Sequence, residues 1–392
     1  MKQIKTLLAS VALMGLVGCG SESTDTQALT IPKYSSPTDA ICDASSQSVD
    51  WGKLLSADAD KLSEYKLFQS QCNPTDNANN RGLAYSLSIP LFTDYASKYR
   101  FVFIPEGEKA DYVENEVFDF PIGSALVKTF SMPSTTDKDS RGYAIENIIE
   151  TRILIKKSEG WVNRVYLWDD NKLDATRVRQ GATVATILGH NDEILSFDYG
   201  VPAQGECADC HKIKLSESES IFSPIGPKAR YLNSTFSYAS GDENQIEKWI
   251  SEGFLDGSTV PAASDREQAK VFDYYKDVES IPPSEVETYA KEWLDINCAH
   301  CHRADKGTAS NTAFKAASTE DFQGICEVAV SGANASNSMV VVPGLPDSSL
   351  LYHRLTTTVP GEMMPPLGRS TTDTQGAALI DRWISSLTGS CN

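Results

Sequence analysis

The sequence predicts a multidomain protein with a β-rich, sandwich-like N-terminal domain followed by a mostly α-helical C-terminal region. Short strand-like runs recur between Leu83 and Gly200, and apolar residues at helical spacing replace them after Pro202. The 392 residues are enough for two or three domains. The formal net charge of −18 argues against nucleic acid or an anionic membrane surface as a partner.

The N-terminus is typical of an exported bacterial protein. Two lysines precede an apolar run, residues 7–17, that is too short to span a bilayer. The run leads into "LVGC", which resembles the lipobox of bacterial lipoproteins, so residues 1–18 are expected to be a signal peptide and Cys19 to carry lipid. An ordinary signal peptide with a chance cysteine is the alternative. Gly20 favours the outer membrane, facing the periplasm or the cell surface, and residues 19–36 are expected to form a flexible tether.

Residues 37–200 form the predicted β-rich domain, with a helical lead-in. The strand-like runs are residues 99–107, 124–132, 150–157 and 161–168, followed by "ATVATIL" and "EILSFDYG". The "SEG" between the third and fourth runs predicts a hairpin. Short strands at this spacing favour a sandwich or a small barrel.

Three segments after Pro202 are predicted to be helices. Residues 241–254 place apolar side chains on one helical face. Residues 282–297 begin with two prolines and Ser284, and a glutamate three residues later predicts a capping box. Residues 374–387 carry a leucine, isoleucine and tryptophan stripe and would close the chain.

Two motifs with the same spacing carry the chemistry: "CADCH" at residues 207–211 and "CAHCH" at residues 298–302. Thiols at positions i and i+3 of a helical turn lie on one face and can add to the two vinyl groups of a haem. The adjacent histidine then binds the iron. The expected products are two covalent c-type haems. The attachment residues are Cys207, Cys210, Cys298 and Cys301, and the iron ligands are His211 and His302.

A zinc site and a redox dithiol are the weaker interpretations of these motifs. Zinc needs four ligands per site, and His190, His300 and His353 are the only other histidines in the chain. A redox dithiol does not need the histidine that follows each cysteine pair. His300, between the cysteines of the second motif, is expected to be a solvent-facing bystander.

A methionine before two prolines predicts the sixth ligand of the second haem. The segment "PGEMMPPLG" is stiffened by proline, and a thioether favours Fe(II) and raises the reduction potential. Met364, directly before Pro365, is favoured over Met363. Residues 281–392 therefore have the layout of a cytochrome c domain carrying haem 2.

The first haem, in segment 201–280, has no evident sixth ligand. No methionine or histidine lies between His211 and His300. The distant candidates, each more typical of a packing residue, are Met132, His190, Met339 and His353. An open iron position would permit catalysis, whereas a filled one would favour electron transfer.

Four cysteines remain after Cys19 and the motif cysteines are assigned. Thiols outside the cytoplasm tend to oxidise, so we expect the disulfides Cys42–Cys72 and Cys326–Cys391. Other pairings and free thiols remain open.

Much of the chain resembles a family of bacterial two-haem c-type cytochrome lipoproteins found beside genes for a parallel β-helix protein. The shared stretches include "PLFTDYASKYRFVFIPEG", "ETRILIKKSEGWVNRVYLWDD", "SPIGPKARYLN" and "VVPGLPDSSLLYHRL", besides both motifs. The resemblance covers roughly residues 60–388 and implies two covalent haems in an extracytoplasmic protein, without naming a substrate.

The expected function is transfer of single electrons between redox partner proteins, with no catalytic residue assigned. The alternative is a peroxidase-like dihaem enzyme in which haem 1 is an open catalytic site. A lipoprotein whose main role is to attach a partner is a third possibility.

Overall fold

The computed structural model describes most of the chain after the N-terminus. The described residues are 40–56, 58–138, 144–191, 193–214, 218–273, 277–303, 312–316, 324–330 and 338–391, with positions 29, 34, 36, 37 and 216. The expected signal peptide, the lipidation site Cys19 and most of the tether lie outside them. None of the helices in the described ranges is both long and apolar enough to cross a membrane.

The centre of the fold is a six-stranded antiparallel sheet whose strands are adjacent in sequence order. The strands are β1 (Gly82–Tyr85), β2 (Ser97–Phe103), β3 (Ala125–Lys138), β4 (Ala144–Lys157), β5 (Gly160–Trp168) and β6 (Ala175–Arg177). The expected hairpin between β4 and β5 is present, with Lys157 paired to Gly160. Gly160 has φ of +117°, which side-chain-bearing residues rarely adopt.

Alternation along the strands gives this sheet two different faces. One face, with Phe101, Val127 and Ile153, packs on the N-terminal lead-in, which includes helix α1 (Trp51–Ser56). The opposite face contributes Val102 to the C-terminal core and Phe130 to a separate cluster. Each face is therefore covered by a different part of the chain.

The second layer of the expected sandwich is a single hairpin. Among the described residues, strands β7 (Ala182–His190) and β8 (Glu193–Val201) pair only with each other. Leu188 and Tyr199 of this hairpin pack in one cluster with Phe130 of the main sheet. The hairpin covers one end of the sheet and leaves the rest to the C-terminal region.

The prediction of a mostly α-helical region after Pro202 is wrong. Only α7 (Thr374–Ser386) has the predicted length, and the other described helices are short: α2 (Cys207–His211), α3 (Ala229–Leu232), α4 (Gln245–Ser251), α5 (Val286–Leu294) and α6 (Leu350–Thr356). Two small hairpins lie among them: β9 (Lys212–Lys214) with β10 (Ser220–Phe222), and β11 (Thr235–Tyr238) with β12 (Gly241–Asn244). Apolar spacing marks a buried face, but strand pairing and prolines interrupt the helices.

Two local differences show why the helices are shorter than predicted. The helix expected from residue 241 begins at Gln245, because residues 241–244 pair with β11 and the Asn244 side chain accepts hydrogen bonds from the next turn. The capping box at Ser284 does not form. Helix α5 begins at Val286, because the Glu285 amide donates to the Pro282 carbonyl in a preceding turn.

One hydrophobic core joins the C-terminal helices to the main sheet. Trp293 of α5 and Trp383 of α7 pack in the same cluster as Val102 and Leu126 of the sheet and Trp249 of α4. The sheet and the region after residue 202 therefore share a core.

Two disulfides hold segments that are distant in the sequence. Cys42 is joined to Cys72, and Cys326 near the core is joined to Cys391 at the end of the chain. These are the two pairs expected from the sequence. The second disulfide ties the chain end to the C-terminal region.

Candidate functional site

The two CxxCH motifs lie against each other in the structure. The Cys301 thiol donates to the carbonyl oxygen of Asp209 over 3.3 Å, although the two residues are 92 positions apart. The ligand atoms of Cys210, His300 and Cys301 all lie within 4.8 Å of one another. The four motif cysteines are not joined in disulfides. Two motifs that are far apart in the sequence thus form one site.

The first motif is a single helical turn between two strands. Strand β8 ends at Val201, α2 covers the motif, and β9 follows immediately. His211 stacks on Phe222 of β10, with ring centroids 4.9 Å apart and planes 4° apart. Its Nδ1 lies 2.8 Å from the Ser223 carbonyl oxygen, which can only accept, so Nδ1 donates. Nε2 is then the ring nitrogen left to bind a metal, as is usual for metal-binding histidines.

Burial sets the protonation of the first motif. It lowers the pKa of His211 to about 3, so the imidazole is neutral at physiological pH and can donate a lone pair. A hydrogen bond with Cys301 and burial raise the pKa of Cys210 to about 12. Burial also raises the pKa of Cys207. The motif therefore presents two thiols and one neutral imidazole.

Buried polar residues hold the second motif in place. Helix α5 continues into a π-helical turn, Asp295–Ala299, which leads into the motif. The buried Asp295 carboxylate accepts from Lys228 Nζ over 3.1 Å and from the Tyr231 hydroxyl. Asn297 accepts from the Phe92 amide over 2.8 Å. The second motif is thus fixed to the loop between strands β1 and β2 and to helix α3 with the residue before it.

The second motif also presents a neutral imidazole. Burial lowers the pKa of His302, and its ring centroid lies 5.5 Å from that of Phe314. Cys298 is part of the C-terminal hydrophobic core, and burial raises the pKa of its thiol. Cys301 is more exposed and faces the first motif.

A small cleft, open to solvent, lies between the motifs. Cys210, His211 and His300 line it, together with charged side chains from the surrounding segments. Among these, Arg303 forms two hydrogen bonds with the Glu116 carboxylate, at 3.0 and 3.2 Å. The lining of the cleft therefore combines motif ligands, charged side chains and apolar side chains.

His300 contributes to the site, although its sequence position did not indicate this. It was expected to face solvent, but it is half-buried and lies beside Cys210 of the other motif. A hydrogen bond from His300 acts to lower the Cys210 pKa. Its position inside a CxxCH motif hid this contact, because only the fold brings the first motif next to it.

The methionine loop is held by a buried arginine. The Arg369 guanidinium donates to the carbonyl oxygens of Met364 (3.1 Å), Arg354 (3.0 Å) and Thr357 (2.8 Å). The Met364 amide in turn donates to the Arg354 carbonyl over 2.9 Å. The Arg354 charge acts on the pKa of His302, so this residue lies near both the loop and the second motif. Met363 and Met364 are both half-buried.

The distant candidates for a sixth ligand of haem 1 lie away from the cleft. Met132 and the His190 ring lie at the end of the sheet that the β7–β8 hairpin covers. There His190 stacks on Tyr95, with the ring centroids 3.6 Å apart. His353 lies 3.4 Å from the Glu362 carboxylate. Met339 pairs through its backbone with neighbouring extended segments. In the part of the chain that is described, none of these four lines the cleft between the motifs.

No protein-family model, curated protein or solved structure matches this chain.

Proposed function

We propose that this protein is an extracytoplasmic c-type cytochrome with two covalent haems that passes single electrons between redox partner proteins. The observation that carries the proposal is the contact between the CxxCH motifs, each presenting thiols and a neutral imidazole. A pair of touching attachment segments suits electron exchange between the two groups they hold.

The donor set fits the proposed cofactor. Each motif offers two thiols that can become thioethers and a histidine for the iron, and His211 already directs Nδ1 to a carbonyl oxygen. Haem bound there supplies an iron that alternates between Fe(II) and Fe(III). Cys207, Cys210 and His211 would hold haem 1. Cys298, Cys301 and His302 would hold haem 2, with Met364 as its sixth ligand.

The chain's own contribution is to fix and desolvate the iron ligands. Phe222 and the Ser223 carbonyl orient the His211 ring. Burial lowers the pKa of both motif histidines, which reduces competition between a proton and the metal for the ring nitrogen that binds it. The Arg369 hydrogen bonds fix the backbone of Met364.

Covalent haem content is the direct test of this proposal. Denatured, acetone-extracted protein should keep its haem, and its mass should exceed that of the apoprotein by two haems. The double variants Cys207→Ala/Cys210→Ala and Cys298→Ala/Cys301→Ala should each retain one haem, and His300→Ala should retain two. Wild-type protein without covalent haem refutes the proposal.

One bound metal ion shared by the motifs is a second candidate, favoured by the group formed by Cys210, His300 and Cys301. Thiolates and imidazole are ligands that zinc prefers. In that case Cys210→Ala and Cys301→Ala would abolish the same single site, and His300→Ala would weaken it. Under the cytochrome proposal these two cysteine substitutions affect different haems. Zinc analysis and pyridine haemochrome spectra of the three variants separate the candidates.

The lipid anchor at Cys19 is part of the same proposal and depends on the "LVGC" sequence. Cys19→Ala should release the protein into the soluble periplasmic fraction, while wild-type protein stays with the outer membrane. Wild-type protein that is already soluble after osmotic shock would contradict the anchor.

Carbon monoxide distinguishes the electron carrier from the peroxidase-like enzyme. An open sixth position on haem 1 predicts that reduced protein binds CO at one haem of the two. A haem 1 that stays low-spin and does not bind CO favours the carrier and a ligand from elsewhere in the chain.

A further inference from the structure

Three cations are paired directly across adjacent strands of the main sheet. Arg100 of β2 is opposite Lys128 of β3, and Lys128 is opposite Arg152 of β4. Lys98 lies on the same face of β2, two residues before Arg100, and is opposite Phe130 of β3. Like charges directly opposite each other destabilise an antiparallel pair. We call Lys98, Arg100, Lys128 and Arg152 the cation row.

The cation row is short of negative charge. Arg152 pairs with Glu150 at 2.5 Å, but the same carboxylate also accepts from the Tyr199 hydroxyl over 2.6 Å. Lys128 makes no hydrogen bond or ion pair with any described residue, and its ammonium lies 5.0 Å from the centre of the Phe130 ring. Burial and the neighbouring Arg152 and Arg100 lower the pKa of Lys128 to about 7.

The cation row faces the first CxxCH motif. The charge of Arg152 acts on Cys207, that of Lys128 acts on Cys210, and both act on His211. On the same sheet face, Asn163 of β5 donates to the Gln204 carbonyl just before the motif, over 2.9 Å. An anion held against the motif would therefore lie beside the row.

We infer that the cation row is a carboxylate-binding site that receives the propionate groups of the haem attached at Cys207 and Cys210. The inference rests on the proposed function. Like charges that are buried or half-buried need counter-charges, and two propionates next to the motif would supply them. Among the described residues, the row has the Glu150 carboxylate, which is shared with Tyr199, and Asp94, which acts on Lys98. A small free anion in the same place is the competing source of negative charge.

The reduction potential of haem 1 gives the first test. A nearby positive charge favours the Fe(II) state, so Lys128→Gln should shift the reduction equilibrium of haem 1 towards Fe(III) by about tenfold, which is roughly 59 mV for one electron. Lys128→Arg should restore the wild-type value. Lys156→Gln is the matched control, because Lys156 is on the same face of β4 and also lies over an aromatic ring, Trp161 at 5.7 Å. An equal shift in the control, or none in Lys128→Gln, overturns the inference.

Thermal stability gives a second test with a change of sign. In the Cys207→Ser/Cys210→Ser background, which cannot attach haem 1, Lys128→Gln should raise the Tm because it relieves repulsion within the cation row. In the two-haem protein the same substitution should lower the Tm because it removes a propionate partner. The same direction of change in both proteins contradicts the inference. If the serine variant does not fold, the reduction potential of haem 1 remains the test of the inference.

Inorganic phosphate separates the two sources of the anion. Adding phosphate should leave the potential of haem 1 equal to that in potassium chloride of the same ionic strength. A phosphate-specific shift that Lys128→Gln abolishes would instead show a free-anion site. Haemochrome analysis of the same samples keeps the failures distinct: absence of haem refutes the proposed function, whereas two haems with an unresponsive potential refute only the propionate site.

Discussion

Replacing Asp295 by asparagine tests how the second CxxCH motif is held in the fold. The Asp295 carboxylate is 3% exposed and accepts from Lys228 Nζ at 3.1 Å, from the Tyr231 hydroxyl, and from the Ala316 amide at 3.0 Å. Asparagine has nearly the same shape but no charge. The substitution leaves the Lys228 ammonium, on a residue only 7% exposed, without its ion-pair partner.

The expected cost follows from the burial of both partners. Removing one member of a buried ion pair typically costs about 3–5 kcal/mol. Glu116 also acts electrostatically on Lys228 and partly compensates for the lost charge. Asp295→Asn should therefore lower the free energy of unfolding by about 3 kcal/mol, the lower end of that range. Urea denaturation followed by far-UV circular dichroism measures this change.

The matched control removes both members of the pair. Lys228→Met/Asp295→Asn leaves no buried charge unpaired and keeps an acceptor for the Tyr231 hydroxyl and the Ala316 amide, so it should be more stable than Asp295→Asn. The reasoning is refuted if Asp295→Asn costs less than about 1 kcal/mol or if the double variant is no more stable.

The same pair predicts a pH dependence. Burial acts to raise the pKa of Asp295, but Lys228, the Tyr231 hydroxyl and Arg230 together hold it below its usual value. The stabilisation by the carboxylate is then fully present above the pKa of the unfolded chain, about 4, and is lost as pH falls through the lower folded pKa. Asp295→Asn should weaken this acid-induced loss of stability.

Three further predictions concern other parts of the chain. Burial raises the pKa of Glu292 from 4.5 to about 7, so the folded protein retains a proton there that the unfolded chain loses, and stability should fall by roughly 3 kcal/mol between these pH values. Glu292→Gln should remove that fall, as judged from urea midpoints at pH 5 and pH 8. Cys391→Ser opens the 65-residue loop closed by Cys326 and should cost roughly 4 kcal/mol of unfolding free energy, whereas an unchanged midpoint would contradict this loop-closure estimate. Met364→Ala should abolish the red charge-transfer band of haem 2 and lower its potential while both haems stay attached. Met363→Ala should leave the band and the potential unchanged. The reverse result would identify Met363, and not Met364, as the ligand.

The strands were more predictable than the helices because their pattern is local. The main predicted strand runs correspond to β2 to β5, where side chains alternate between two buried faces. Residues 241–254 showed equally clear apolar spacing, yet only Gln245–Ser251 is helical. The first four residues pair with β11, and this long-range choice overrides local helix preference.

The candidate site was predictable in its parts but not in its arrangement. Each CxxCH motif is a local unit, since the spacing of two thiols and an imidazole on one turn is fixed by helix geometry. The position of His300 beside Cys210 depends on the fold, so the sequence suggested only a bystander. The buried support of Asp295 by Lys228 likewise left no sequence signal, because the two residues are 67 positions apart.

The thiol and imidazole chemistry and the alternation of strand positions towards a core can be derived from the sequence alone, which also predicts an export signal at the N-terminus. These features depend on covalent order and on the periods of helices and strands. Three features depend on the tertiary fold: the two motifs touch, strand pairing shortens several C-terminal helices, and four cations share the sheet face that lies next to the first motif. Periodicity shows that a face is buried, whereas the partner that covers it depends on long-range packing of the whole chain.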